Sequence, residues 1–177
     1  MPVWNLIAED AERGAEALVA EYGPRLYATA FRLCQNEKDA EDLVFRTLAR
    51  VVERAKTFNG KSSFFTWICS ILVNFYRMDM RRKGANALVF DPEPPDRIDT
   101  QPNPSEALAE VDEATAIRSV VDALPNDLRA AIVLHYFDEM SVPEMSKALG
   151  VPDGTVYWRL HEGRKKIREA LSKVLRQ

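Results

Sequence analysis

The chain has 177 residues, a formal net charge of −3, 46% hydrophobic residues, two cysteines and two histidines. That is enough apolar sequence for one or two small packed domains, yet no apolar run approaches the ~18 residues of a membrane span, so no membrane insertion is expected. Two cysteines, Cys34 and Cys69, cannot build a disulfide framework, and the acidic start MPVWNLIAEDAER is no secretory signal, so the expected setting is a reducing cytoplasm.

Residues from about 10 to 35 read as two helices. Leu18, Val19 and Tyr22 mark the first, Gly23-Pro24 the break, and Leu26, Tyr27, Ala30, Phe31 and Cys34 the second. Asn36 suits the cap of the next helix, with Asp39 in the reciprocating position and Glu37, Asp39, Glu41 and Asp42 near its positive end. Ala40, Leu43, Val44, Thr47, Leu48, Val51, Val52 and Ala55 then keep a helical period over about 37–56. The outer face mixes Glu41, Phe45, Arg46, Arg50 and Glu53. Phe45 is a large apolar group off the main stripe, which points to contact with another surface.

TFNGKSS, 57–63, is a turn around Asn59-Gly60, and a helix from Phe64 to Lys83 follows. Phe64, Trp67, Ile68, Ile71, Leu72, Phe75 and Met78 form its predicted buried stripe, with Ser70, Asn74, Arg77 and Arg81 as a polar stripe beside it. Rings beside an amide and cations have two readings. Most of them are core, but stacking surfaces, a base-edge reader and phosphate holders are also what single-stranded nucleic acid requires.

Residues 84–105 hold five of the ten prolines and read as a PPII-like or disordered linker, with Val89-Phe90 its apolar spot. Helix resumes from about 105, through Ala107, Leu108, Val111, Ala114, Ile117, Val120, Val121 and Leu124. Pro125 ends it, Asn126 is the expected cap of the next helix, and Leu128, Ala131, Ile132 and His135 line that helix, with His135 a packing histidine.

SVPEMSKALGVPDGTVYWRLHEGRKKIR, 141–168, carries the densest signal. Ser141 and Glu144 form a capping box, Pro143 fits the opening turn, and Gly150 suits a left-handed stop. Asp153 is a candidate cap for a second helix running to about Leu175, with Val156, Leu160, Gly163 and Ile167 on its buried face. Tyr157, Trp158, Arg159, His161, Arg164 and Lys165 are assigned to the opposite face. Two short helices, a Gly-containing turn and a basic, aromatic second helix read as a helix-turn-helix; a pair packed for stability alone is the other reading.

Charge is unevenly divided. Residues 1–84 carry 13 Lys/Arg against 11 Asp/Glu, 85–113 carry one against eight, and 114–177 carry ten against eight. Such weakly basic ends imply poor stand-alone affinity for duplex DNA, so a larger partner is expected to deliver the chain. No paired carboxylates in a pocket, no Ser/His/Asp set, no phosphate-binding Gly loop and no metal-ligand cluster are evident, so neither enzyme activity nor a cofactor or metal is expected.

The order of helices resembles bacterial extracytoplasmic-function (ECF) sigma factors, a subgroup of the sigma-70 family. The likeness rests on Asp39-Ala-Glu-Asp42-Leu43-Val44, Phe64-Phe-Thr-Trp67-Ile68, Asn74 with Arg81-Arg82, Leu124-Pro125 with Arg129, and the run from Glu144 to Leu160. The resemblance implies an all-α chain with two small helical domains. They are region 2 at 1–84 and region 4 at 114–177, joined by a flexible, acidic, Pro-rich linker at 85–113. It also implies core RNA polymerase and promoter DNA as partners, with an anti-sigma factor as regulator.

Carried over to this sequence, Asp39, Glu41, Asp42 and Phe45 should dock on the polymerase. Phe58, Asn59, Lys61, Phe64, Trp67, Asn74, Arg77 and Arg81 should meet unpaired −10 bases, and Thr155, Tyr157, Trp158, Arg159, His161, Arg164 and Lys165 the −35 duplex. The sequence departs from the family pattern at Phe45 (commonly Gln), Met78 (commonly Asp, with Asp79 one residue late), Pro152 (a usual Ser cap), Trp158 (a small residue) and Glu162 (often Arg). These departures argue for unusual promoter preference or an unusual clamp contact. A stand-alone helix-turn-helix regulator and a degenerate sigma-like adaptor are the alternative readings.

Overall fold

The computed structural model describes residues 1–89 and 113–174, all of it helix, turn or loop with no strand among those residues. The N-terminal half comprises α1 (Val3–Glu9), α2 (Ala11–Cys34), α3 (Glu37–Arg54), a 3-10 turn (Ala55–Thr57) and α4 (Phe64–Val89). The C-terminal half comprises α5 (Glu113–Asp122), α6 (Asn126–Tyr136), α7 (Val142–Leu149) and α8 (Asp153–Val174). Much of the expected linker, the start of the helix expected from about 105, and Leu175 lie outside the described residues.

α3 forms as its period dictates. The Asn36 side chain accepts from the Asp39 N–H at 3.0 Å, and Ala40, Leu43, Thr47 and Val51 are buried. α2, by contrast, does not break at Gly23-Pro24: one 24-residue helix runs through Pro24. Leu18 on one side of the proline and Leu26, Ala30 and Leu33 on the other are fully buried, so a continuous apolar stripe offsets the hydrogen bond that proline removes, a defect of about 3 kcal/mol. Val19, read as a marker of that helix, is exposed instead.

α1 lies close against α2, because a Cβ on Gly14 would stand 2.4 Å from the Ile7 Cα. This seats Trp4 over Phe58 and Phe64, with ring centroids 5.2 Å apart in both pairs.

α4 buries more of its circumference than the sequence implies. Phe64, Ile68 and Leu72 are buried as expected, but Phe65, Cys69, Val73 and Tyr76 are buried as well, while Met78 is exposed. The reason is that α4 packs on α3 along one side and on α7 along the other. The helix also continues to Val89, past the expected linker start at 84–85.

Two expected caps are corrected. Pro125, not Asn126, occupies the N-cap of α6, and the Asn126 side chain instead accepts from the Tyr76 hydroxyl at 3.1 Å. Asp153 is the first helical residue of α8; the Pro152 carbonyl takes the first amides, those of Thr155 and Val156. The Ser141–Glu144 box forms as expected, with the Ser141 N–H and hydroxyl donating to Glu144 at 3.0 and 2.8 Å, and these bonds hold the carboxyl below its ordinary range.

A Pro-rich linker predicts two tethered bodies, but the halves close on each other across a buried seam. Arg129 of α6, 9% exposed, donates to the Leu33 carbonyl at the end of α2 (2.9 Å) and to Asp122 and Leu124 carbonyls at the end of α5 (2.7 and 2.9 Å). One guanidinium thus satisfies the ends of two helices, where backbone carbonyls lack partners. Asp138 is presented by a tight turn in which Glu139 adopts φ 55°, and it accepts from the Thr29 hydroxyl at 2.9 Å. The Arg25 side chain donates to the Asp138 carbonyl at 2.7 Å. Burial raises the Asp138 carboxyl above its ordinary value, opposed by the Thr29 bond and by Arg25.

Candidate nucleic-acid interface

The turn before α4 is built from local bonds. Lys61 N–H donates to Asn59 Oδ1 at 3.1 Å, and Gly60 takes φ 72°, where a side chain would be strained. The turn exposes Asn59 and Lys61 and leaves Phe58 half-buried. Behind it stand stacked Phe64 and Trp67 rings with centroids 5.5 Å apart, Phe58 meeting both. Phe64 is only 4% exposed, so it braces Phe58 and Trp67 from beneath and offers no open face. Trp67 is half-buried, Asn74 and Arg81 are exposed, and Arg77 is partly covered.

The helix-turn-helix is α7, a turn at Gly150 (φ 63°) and α8. Val156 and Leu160 are buried against α6 and α7, and Gly163 sits where a Cβ would come within 2.9 Å of the Ile132 side chain. This fixes the outward face: Tyr157, Trp158, His161, Arg164 and Lys165 are all exposed, at spacings that share one side of a helix. Thr155 is half-buried at its edge. Arg159 is the exception to the assignment. It follows Val156 by three residues and so falls on the packed side, 9% exposed, with Nη2 on Asp127 Oδ2 at 3.1 Å.

On the outer side of α3, Glu41, Asp42 and Phe45 are exposed, Phe45 at 74%, and Asp39 is half-buried. Arg46 binds Asp42 at 2.8 Å and also pairs with Asp79 of α4, a bond that raises its already high pKa. Asp79 therefore keeps a charged tie between α3 and α4, although the resemblance led to an acid being expected at Met78. Lys83 of α4 reaches Asp39 at 2.6 Å, tying that helix to the start of α3. No cluster of three or more His, Cys, Asp or Glu side chains suited to a metal exists among the described residues, and no described helix is long and apolar enough to cross a membrane.

Residues 18–86 match Sigma-70 region 2, and residues 114–167 match Sigma-70, region 4. The chain is 33% identical over 159 residues to the ECF RNA polymerase sigma factor SigE of Mycolicibacterium smegmatis, covering 89% of this chain and 62% of that protein, less than two thirds of its length. It is 27% identical over 165 residues to the ECF RNA polymerase sigma factor SigW of Bacillus subtilis, covering 87% of each. The chain belongs to the sigma-70 family as an ECF sigma factor. The sigma factor shares its fold with RpoE of Bartonella quintana, solved in complex with the anti-sigma factor NepR (TM-score 0.71, 24% identity, covering 89% of this chain and 96% of that one). It shares it also with CnrH, solved in complex with the cytosolic domain of CnrY (TM-score 0.67, 22% identity, covering 97% and 96%). Sigma factors are not enzymes, in line with the sequence reading.

The sequence reading brought out the aromatic turn and the α8 face but missed the seam. Thr29, Arg25, Asp127 and Asp138 lie outside any apolar period, and their partners are more than thirty positions away in the chain. Arg129 was visible in the Leu124-Pro125…Arg129 pattern, though its packing role was not.

Proposed function

We propose that this ECF sigma factor joins core RNA polymerase in the cytoplasm and directs it to promoters. Region 2, residues 1–84, captures −10 bases; region 4, residues 114–177, reads the −35 duplex; and residues 85–113 link them. The observation that carries the reading is the single outward row of Tyr157, Trp158, His161, Arg164 and Lys165 on the second helix of a capped helix-turn-helix matched to region 4. Its cations suit phosphates, and its rings and imidazole suit base edges and methyl groups. Thr155 stands at the edge of that row, and Arg159 joins it only on leaving Asp127.

In region 2, Trp67 and Phe58, braced by Phe64, offer ring faces. Asn59 and Asn74 offer amides for a base edge, and Lys61, Arg77 and Arg81 supply positive charge. Unstacking a base costs a few kcal/mol. Stacking on a ring returns about 1–3 kcal/mol per base, so capture can tip a near-balanced opening of the duplex. Asp39, Glu41, Asp42 and Phe45 form the polymerase contact, where an exposed Phe45 adds an apolar group to an acidic patch. An anti-sigma factor is the proposed regulator, supported by the complexes in which RpoE and CnrH were solved.

Asn74 tests the base trap because it is exposed on α4. Asn74→Ala should keep binding to core polymerase while losing open-complex formation, read as permanganate reactivity of unpaired thymines. Normal reactivity in the variant would move the trap elsewhere.

A further inference from the structure

Three charged side chains meet across the seam. Asp127, in the first turn of α6, holds Arg159 of α8 through Oδ2 at 3.1 Å and Arg77 of α4 through Oδ1 at 3.5 Å. Arg77 gives Nη1 to the Leu149 carbonyl at 2.6 Å, where α7 ends. Arg159 keeps 10% of its side chain exposed, and its Nη1 is buried with no hydrogen-bond partner among the described residues. Desolvation by burial depresses the Arg159 pKa, Asp127 opposes that, and the Arg77 charge adds to it. Two guanidiniums, one from each half, thus share one carboxylate.

A carboxylate and a phosphodiester present the same thing to a guanidinium: two anionic oxygens. Both arginines are among the residues assigned above to promoter DNA. We propose that Asp127 is an internal stand-in for promoter phosphate. It latches the closed form by occupying Arg77 and Arg159, and the DNA backbone displaces it, so closure and DNA engagement exclude each other. The inference rests on the sigma-factor reading and adds to it a regulation carried within the chain.

Neighbouring contacts agree. The seam also takes up the Lys61 carbonyl, at the turn assigned to the −10 strand, through Lys147 at 2.8 Å, and the Thr66 hydroxyl, in the first turn of α4, through Glu144 at 3.3 Å. Asp127 itself is 58% exposed, so its pairs are screened and individually weak, as a latch that must open requires.

The test uses the full chain without polymerase, with a short random-sequence duplex at low salt as the probe, since the competition is for phosphate and not for sequence. Asp127→Asn should bind the duplex about tenfold more tightly than wild type, within the usual range of coupling between two sites. In small-angle scattering it should show a larger radius of gyration. By reciprocity the duplex should expand wild type but add little to the variant. Should Asp127→Asn fold poorly by circular dichroism, Arg77→Gln cuts the same latch from the other side and should also expand the chain.

Equal duplex affinity and equally compact scattering in variant and wild type overturn the latch. A wild-type chain inert in transcription with core polymerase overturns it too, by removing the reading it rests on. That failure leaves any scattering difference intact, so the two are distinguishable.

Discussion

Burial decides what the two thiols can do. Cys69 is fully buried, and desolvation raises its pKa well above the ordinary value; Cys34 is half-buried and is pushed up to about 11, by burial first and then by Asp39. At pH 8 the Cys34 thiolate is then about a thousandth of the population, and the thiolate is the reactive form. Iodoacetamide at pH 8 should therefore label neither residue in the native chain and both in denaturant, with Cys34 labelling rising as pH approaches 11. Fast native labelling of Cys34 at pH 8 would contradict this account. The sequence set Cys34 among the apolar markers of its helix and offered no disulfide framework, and both cysteines are free thiols. It could not rank them, because the groups around Cys34, among them Asp39, Asp79 and Lys83, converge from two other helices. Arg159 shows the same limit from the other side. Its helical position made it a surface residue by charge and a packed residue by spacing, and Asp127, 32 positions away, settled which.

At the scale of elements, periodicity and caps served well wherever one face meets one neighbour. α3, α7 and the buried row of α8 follow their patterns, and the Asn36 and Ser141 caps form. The pattern misled where an element has two neighbours. α4 lies between α3 and α7, so a second apolar side with Phe65, Cys69, Val73 and Tyr76 is buried beyond the expected stripe, and Met78 was counted into a stripe it leaves. α2 crosses Pro24 because Leu18 on one side and Leu26, Ala30 and Leu33 on the other keep one buried apolar stripe. α1 depends on a single small residue. Gly14→Ala would place a methyl group 2.4 Å from the Ile7 Cα, backbone that cannot swing aside as a side chain can. The variant should lose about 1–3 kcal/mol in denaturant unfolding, with faster amide exchange over residues 3–9 as Trp4 lifts from Phe58 and Phe64. Unchanged exchange over that segment would show that α1 is held by something other than this contact.

For the molecule as a whole, the family was legible because five weak motifs stand in one order, and that order survives in the fold. The arrangement of the halves was not legible, because it is written in polar pairs: Asp138 with Thr29 and Arg25, Asp127 with Arg77, Arg129 with the Leu33 carbonyl. Such pairs leave no periodic trace. They are also the kind of contact that a larger partner can replace at little net cost, since each polar group keeps a partner when exchanged. The weakly basic ends complete the logic. With 13 against 11 and ten against eight charges in its two ends, the chain is expected to have little phosphate-binding power of its own, and under the proposed function core polymerase places its two readers. Run-off transcription with purified core polymerase on genomic fragments tests that dependence most directly. Discrete transcripts should appear only when core polymerase and this chain are both present; their absence, or tight and specific promoter binding by the chain alone, would contradict it.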